Sequence, residues 1–306
     1  MTPQAYPFSL VNAFSGSPFG GNPAAVIILN APFDDHSLYL KVARNFNQPI
    51  ACFVFPVEDV ERESEPDQET KTFRIRWFTV AWESEICGHG ALAAAHALLS
   101  HPELVPAHIR VLRFKSMHGY VYARRIQIPD APERIEIELP TFDAKPVETK
   151  KFDRIRSVVC KAFRRDVKVA YIGIASGEEG GSESYLLIEL DENEELEGTD
   201  VDTAAFTETA YRINILTVKS QRPGVTYETR MFAPLSGVQE DHVCGSANCL
   251  MAPYWVNKLG IAPKGEMIIK QVSARGGDIW VYVDRERKKV CLQGEARLTA
   301  AGQVYI

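Results

Sequence analysis

Short apolar runs rich in β-branched and aromatic residues recur along the chain. They are bounded by Gly, Pro, Asn and Asp, and they predict strands at 8–13, 24–29, 51–55, 71–78, 109–114, 120–124 and 134–139. A stretch with two prolines and little apolar pattern, 140–149, reads as a linker. Strand-like runs then resume at 167–174, 184–189, 213–218, 226–232, 266–271, 278–283 and 290–293. Helical patterns are fewer. Residues 34–46 predict an amphipathic helix with Asp34 or Asp35 as its cap, and 153–162 and 202–211 predict two more. The segments 58–69 and 176–184 read as loops. Many strands with few helices argue for an α+β protein. The pattern divides it into halves at 1–140 and 150–306, with the last strand a candidate to pack back on the first half.

The two halves share a string. In the first, Arg76-Trp77-Phe78-Thr79 is followed, after a loop, by Cys87-Gly88-His89-Gly90 and the apolar run 91–99. In the second, Arg230-Met231-Phe232-Ala233 is followed by Cys244-Gly245-Ser246-Ala247 and the run 248–259. Both read as strand, polar loop, Cys-Gly, helix. A helix apolar on nearly all sides is buried, so each is expected to run through the middle of its own domain.

Composition narrows the field. The 306 residues are 45% hydrophobic and 24% charged, which excludes collagen-like and largely disordered chains. The net charge of −6 does not suit nucleic acid, whose phosphates call for clustered Lys and Arg. No run approaches the ~20 apolar residues that span a bilayer, and the first residues lack a signal-peptide pattern, so a cytoplasmic protein without nucleic-acid or membrane partners is expected. Six cysteines occur without a CxxC pair or zinc spacing. Cys52, Cys160, Cys249 and Cys291 read as packing residues. Cys87 and Cys244, equivalent in the repeat, read equally as packed or as reactive.

The reactive reading has a physical basis. A helix start leaves N–H groups unpartnered and carries roughly +0.5 of a charge. It favours thiolate over thiol and can receive a carboxylate. Gly88 and Gly245 would let a ligand approach the backbone. If the halves face each other, Cys87 and Cys244 could act from opposite sides on the carbon beside a carboxylate, one removing a proton and the other delivering one. His89 could hold substrate or assist the transfer, or only pair at the helix start. Asp241 could orient His89, bind a substrate amine or cap the helix entry. Ser246 could bind a carboxylate or serve the helix alone. His242 reads as a surface residue, His36, His101 and His108 as solvated, and Trp82 and Trp255 as core or cleft wall.

The motifs FGGNPAAV (19–26), RWF (76–78), CGHGALAAAHAL (87–98), FAP (232–234) and EDHVCGSANCLMAPYW (240–255) resemble the phenazine-biosynthesis-like (PhzF-like) isomerase family over essentially the whole chain. The resemblance implies the diaminopimelate epimerase-like fold: two pseudo-symmetric α+β domains, each a curved, mostly antiparallel sheet around a central helix, with the site in the cleft between them. It also implies a homodimer that needs no metal or organic cofactor. Carried over by motif, the site takes in His89, Asp241, Ser246, Asn22, Gly88 and Gly245, with Gly90 beside them. Two departures stand out. Ungapped alignment of ARNFNQPIACFV (43–54) places Ile50 where the family carries its Glu acid/base, and Gln48 cannot replace a carboxylate as proton carrier. Cys244 stands where the family more often has Thr, and Cys-Gly-Ser there is similar to diaminopimelate epimerases and proline racemases. The expected function is a cofactor-independent isomerase or epimerase of a small carboxylic or amino acid, using either the Cys87/Cys244 pair or a His89/Asp241 relay. The competing readings are a scaffold repurposed for cyclisation or rearrangement and a non-catalytic ligand-binding protein.

Overall fold

The computed structural model describes residues 3–57, 68–176 and 184–306. In chain order the elements are β1 (Ala5–Ala13), β2 (Asn22–Ile28), α1 (Ser37–Phe46), β3 (Ile50–Pro56), β4 (Thr70–Phe78), β5 (Glu83–Ser84), α2 (Gly88–Leu99), β6 (Val111–Ser116), β7 (Gly119–Ile126) and β8 (Arg134–Pro140). They continue with β9 (Asp143–Pro146), α3 (Thr149–Phe163), β10 (Val169–Ser176), β11 (Tyr185–Leu190), β12 (Ile213–Lys219), β13 (Tyr227–Ala233) and β14 (Val238–Asp241). Last come α4 (Asn248–Leu259), β15 (Met267–Gln271), β16 (Gly277–Asp284), β17 (Lys289–Gly294) and β18 (Ala296–Tyr305). The chain is an α+β protein. One unit comprises Met1–Glu138 and Gln293–Ile306, the other Leu139–Leu292. Residues 58–67 and most of 176–184, both read as loops, lie outside the described residues.

In the first unit β1 pairs antiparallel with β18 and with β2. Then β2 runs parallel to β3, β3 antiparallel to β4, β4 parallel to β6, and β6, β7 and β8 follow as antiparallel neighbours. A parallel step needs a long crossover; α1 supplies it between β2 and β3, and α2 between β4 and β6. α1 is one-sided, burying Tyr39, Val42 and Ala43, with the Tyr39 ring stacked on Phe78 at 5.2 Å. It begins at Ser37 rather than at 34, because the Asp35 carboxylate takes the Ser37 N–H (2.8 Å) and hydroxyl and so closes a turn before the helix. α2 is buried on nearly all sides, as its composition predicts. It packs against β1, β2, β3, β7 and β18, so strands from both ends of the sheet reach it and the sheet curves around it. With cover on both faces, β2 and β3 carry unbroken apolar runs instead of strict alternation.

The second unit follows the same plan. β9 pairs antiparallel with β10 and β10 with β11; β11 runs parallel to β12, β12 antiparallel to β13, β13 parallel to β15, and β15 antiparallel to β16. These six steps repeat, in sense and order, β18–β1–β2–β3–β4–β6–β7. The repeated string is therefore a repeat of topology, and α4 makes the β13-to-β15 crossover that α2 makes in the first unit. On the outer side α3 buries Ile155, Val159 and Phe163 with Phe206.

Two expectations are corrected here. The segment 140–149 is not a linker. It forms β9 and the start of α3, Phe142 is buried, and the Phe142 N–H donates to the Cys249 carbonyl at 2.7 Å. Pro253, inside α4, explains that bond: it lacks the N–H that would reach back four residues to Cys249, so the freed carbonyl takes Phe142 instead. The segment 202–211 is not an α-helix but a 3₁₀ turn over Thr203–Thr209. The Thr207 and Thr209 hydroxyls donate to the carbonyls three residues back, Ala204 and Phe206, at 2.8 Å each, which favours the tighter winding.

Candidate active site

Cys87 is the cap of α2. Its backbone is extended (φ −147°, ψ 104°), its carbonyl accepts the first helical bond from Ala91, and the Gly90 N–H donates to its sulfur at 3.4 Å. Negative charge at that sulfur is met by a backbone donor and by the positive end of the helix. The side chain of His89 turns back so that Nδ1 lies 3.5 Å from the sulfur, and both residues are buried. Cys52, on β3, donates to the Gly90 carbonyl at 3.4 Å. Burial, and then the nearby Cys87, push the Cys52 thiol well above its ordinary pKa, as suits a packing residue. Gly90 has a steric reason to be glycine: a Cβ there would lie 2.9 Å from the Cys52 sulfur and from Trp77 Cδ1, and 3.0 Å from the Cys87 sulfur. Asn22 is buried at the head of β2, opposite Ala13. Ile50, in place of the expected carboxylate, is buried at the head of β3 opposite Ala24.

The second unit places its sulfur at an equivalent turn with different neighbours. The Ala247 amide, three residues on as Gly90 is from Cys87, acts to lower the Cys244 pKa. Here the regular helix starts only at Asn248, after a turn in which Asn248, Cys249 and Leu250 each donate three residues back. Ser246 Oγ lies 3.5 Å from the Cys244 sulfur and accepts from the Tyr185 hydroxyl at 3.1 Å. The helix start was expected to favour thiolate at Cys244, but the opposite holds. Burial, then the Asp241 charge, push this thiol well above its ordinary pKa, outweighing the bonds from Ser246 and Ala247. Cys244 is therefore held in its protonated form, with Ser246 Oγ beside its sulfur.

Sequence reading missed the frame around these turns. Gln271, fully buried on β15, accepts the Cys244 N–H at 2.8 Å and donates to the Asp241 carbonyl at 2.6 Å. Asn248 donates to the Cys244 and Gly245 carbonyls at 3.3 Å each and accepts from Tyr227 at 2.7 Å. No local motif marks Gln271; its role depends on β15 pairing with β13. His242 is half-buried, its carbonyl accepts from Ser273 Oγ at 2.6 Å, and burial with Arg275 lowers its pKa. Trp255 is core, whereas Trp82 is exposed.

The model of the phenazine biosynthesis-like protein family matches residues 11–302. An uncharacterised isomerase of Pseudomonas aeruginosa is 32% identical over 98% of this chain and 98% of its own length. Among solved structures, a phenazine biosynthesis protein of the PhzF family from Enterococcus faecalis superposes with a TM-score of 0.75 at 24% identity, over 99% of this chain and all of that one. A hydroxyproline epimerase from Agrobacterium vitis, solved with trans-4-hydroxy-L-proline bound, superposes with a TM-score of 0.63 at 10% identity, over 99% of this chain and 93% of that one. The likeness of fold to the epimerase is thus independent of close sequence similarity.

Proposed function

Because the chain belongs to the phenazine biosynthesis-like protein family and is an isomerase, we propose that it moves a proton on the carbon beside the carboxylate of a small carboxylic or amino acid, without a cofactor. One observation carries this reading. In two units of matching topology a buried cysteine sulfur stands at the turn that opens the central helix, Cys87 beside the imidazole of His89 and Cys244 under the influence of the Asp241 carboxylate. Cys87, as thiolate with His89 at 3.5 Å, takes the substrate proton onto sulfur. The electron pair left on carbon delocalises into the carboxylate, whose charge the helix-start amides and Ser246 stabilise. Cys244, kept protonated by burial and Asp241, gives its own proton to that carbon and becomes thiolate. One proton is lost and one gained, so charge and atoms balance. Ile50, where the family resemblance would put a carboxylate, supports giving the proton to the thiols in this reading.

The test is isotope exchange. Small carboxylic and amino acids are incubated with the enzyme in D₂O and followed by proton NMR and chiral chromatography. The reading expects deuterium at the carbon beside the carboxylate, inversion there, and loss of inversion in Cys87→Ser and in Cys244→Ser. Undiminished turnover of the same substrate by the double variant would remove both thiols from the chemistry and leave the His89/Asp241 relay.

A further inference from the structure

The repeat includes a pair of ion pairs that the proposed chemistry does not use. On β4, Arg76 grips Glu83 of β5 with both arms of its fork, Nε to Oε1 at 2.7 Å and Nη2 to Oε2 at 2.6 Å. On β13, Arg230 grips Glu240 of β14 in the same way, at 2.7 and 2.9 Å. In both copies the guanidinium also lies over the ring of the phenylalanine two residues on, Phe78 or Phe232, at 5.1 Å. The further anchors differ. Arg76 also covers the Tyr39 ring at 4.2 Å, whereas Arg230 donates to the carbonyls of Leu196 and Thr199.

The spacing is informative. Arginine and glutamate are seven residues apart in the first unit and ten in the second, so the loop between them has changed length. Glutamate to cysteine is four residues in both, from 83 to 87 and from 240 to 244. What stays constant is the distance along the chain from the gripped carboxylate to the sulfur. A planar fork on a carboxylate fixes orientation as well as distance, which one point charge does not. The element so fixed is a two- or four-residue strand with little ladder of its own.

We propose that Arg76 and Arg230 are positioning residues: each locks the short strand leading into its unit's Cys-Gly turn and so sets where the sulfur of Cys87 or Cys244 lies at its helix start. The proposal rests on the functional reading above only for which atoms need placing.

The test therefore reads the sulfurs directly, without substrate. Iodoacetamide labelling of each cysteine is followed by mass spectrometry across pH, alongside thermal melting. Glu83→Gln is expected to change the labelling rate of Cys87 by about threefold or more and leave Cys244 unchanged; Glu240→Gln is expected to do the reverse. Arg76→Lys, which keeps the charge and loses the fork, is expected to act like Glu83→Gln. Once a substrate is known, these variants are expected to lose about 10–100-fold in kcat with little change in KM. Unchanged labelling of Cys87 in folded Glu83→Gln overturns the proposal, as does wild-type labelling in Arg76→Lys, which would make charge and not geometry the cause. Should Glu83→Gln fail to fold, Arg76→Lys and the Glu240 copy decide it. Because labelling needs no turnover, inactivity of the thiols in catalysis would refute the functional reading while leaving the outcome for the clamp separately readable.

Discussion

The sulfur of Cys87 lies 3.5 Å from Nδ1 of His89, two residues along the same helix start. An imidazole at that distance can take the thiol proton and stabilise the anion left behind. His89→Ala is therefore expected to slow exchange of the substrate proton by roughly 10²–10⁴-fold, with the melting temperature little changed. Exchange within a few-fold of the parent rate, measured by NMR in D₂O, would take His89 out of the transfer.

Gly90 is where the first site is most tightly built. In Gly90→Ala the new methyl meets two sulfurs and the Trp77 ring at about contact-breaking distance. Overpacking of this kind costs roughly 1–3 kcal/mol, read as a lowered urea midpoint. Cys52→Ala removes one of the crowding atoms. The double variant is expected to recover part of the loss, whereas strictly additive losses would place the strain elsewhere.

Gln271 holds two backbone groups of the second site at once. Gln271→Leu strands the buried Cys244 N–H and the part-buried Asp241 carbonyl, at a cost of about 1–3 kcal/mol. Denaturant unfolding measures this directly, and a loss below about 0.5 kcal/mol would mean that both groups find other partners.

Burial and Asp241 raise the Cys244 pKa, and the sign of the pH effect follows. Between the ordinary thiol value of about 8.5 and the raised native one, the folded chain holds a proton that the unfolded chain releases. Stability from this group is complete below that ordinary value and falls as pH rises above it. Cys244→Ala should flatten the decline in urea midpoint across the alkaline range. Asp241→Asn removes the negative neighbour, so alkylation of Cys244 should begin at lower pH than in the parent. An unmoved alkylation profile would show that burial alone sets the shift.

Much of this was legible in the chain as written. The buried helices were readable because Ala-Leu-Ala-Ala-Ala carries no polar face, and most strands because apolar runs bounded by turn residues are a local property. The matched Cys-Gly strings pointed to Cys87 and Cys244 for the same reason: a repeat can be seen without knowing what either copy touches. Pairing is not local. β18, exposed along most of its length, offers little pattern, yet it closes the edge of β1, with Thr299 Oγ1 donating to the Leu10 carbonyl from 289 residues away. β9 looked like a linker because Pro146 within it and Pro140 just before it hid a strand whose partner is β10.

Residue types and their order along the chain determined the secondary-structure plan, the duplication and the two sulfurs. Tertiary structure alone decided that Gln271 spans the Cys244 turn, that Arg76 and Arg230 grip carboxylates four residues ahead of each thiol, and that Cys244 keeps its proton against the pull of a helix start. The reason is physical. Propensity and periodicity act over a few residues, whereas hydrogen-bond partners, desolvation and neighbouring charge are set by whatever the fold brings within a few ångströms.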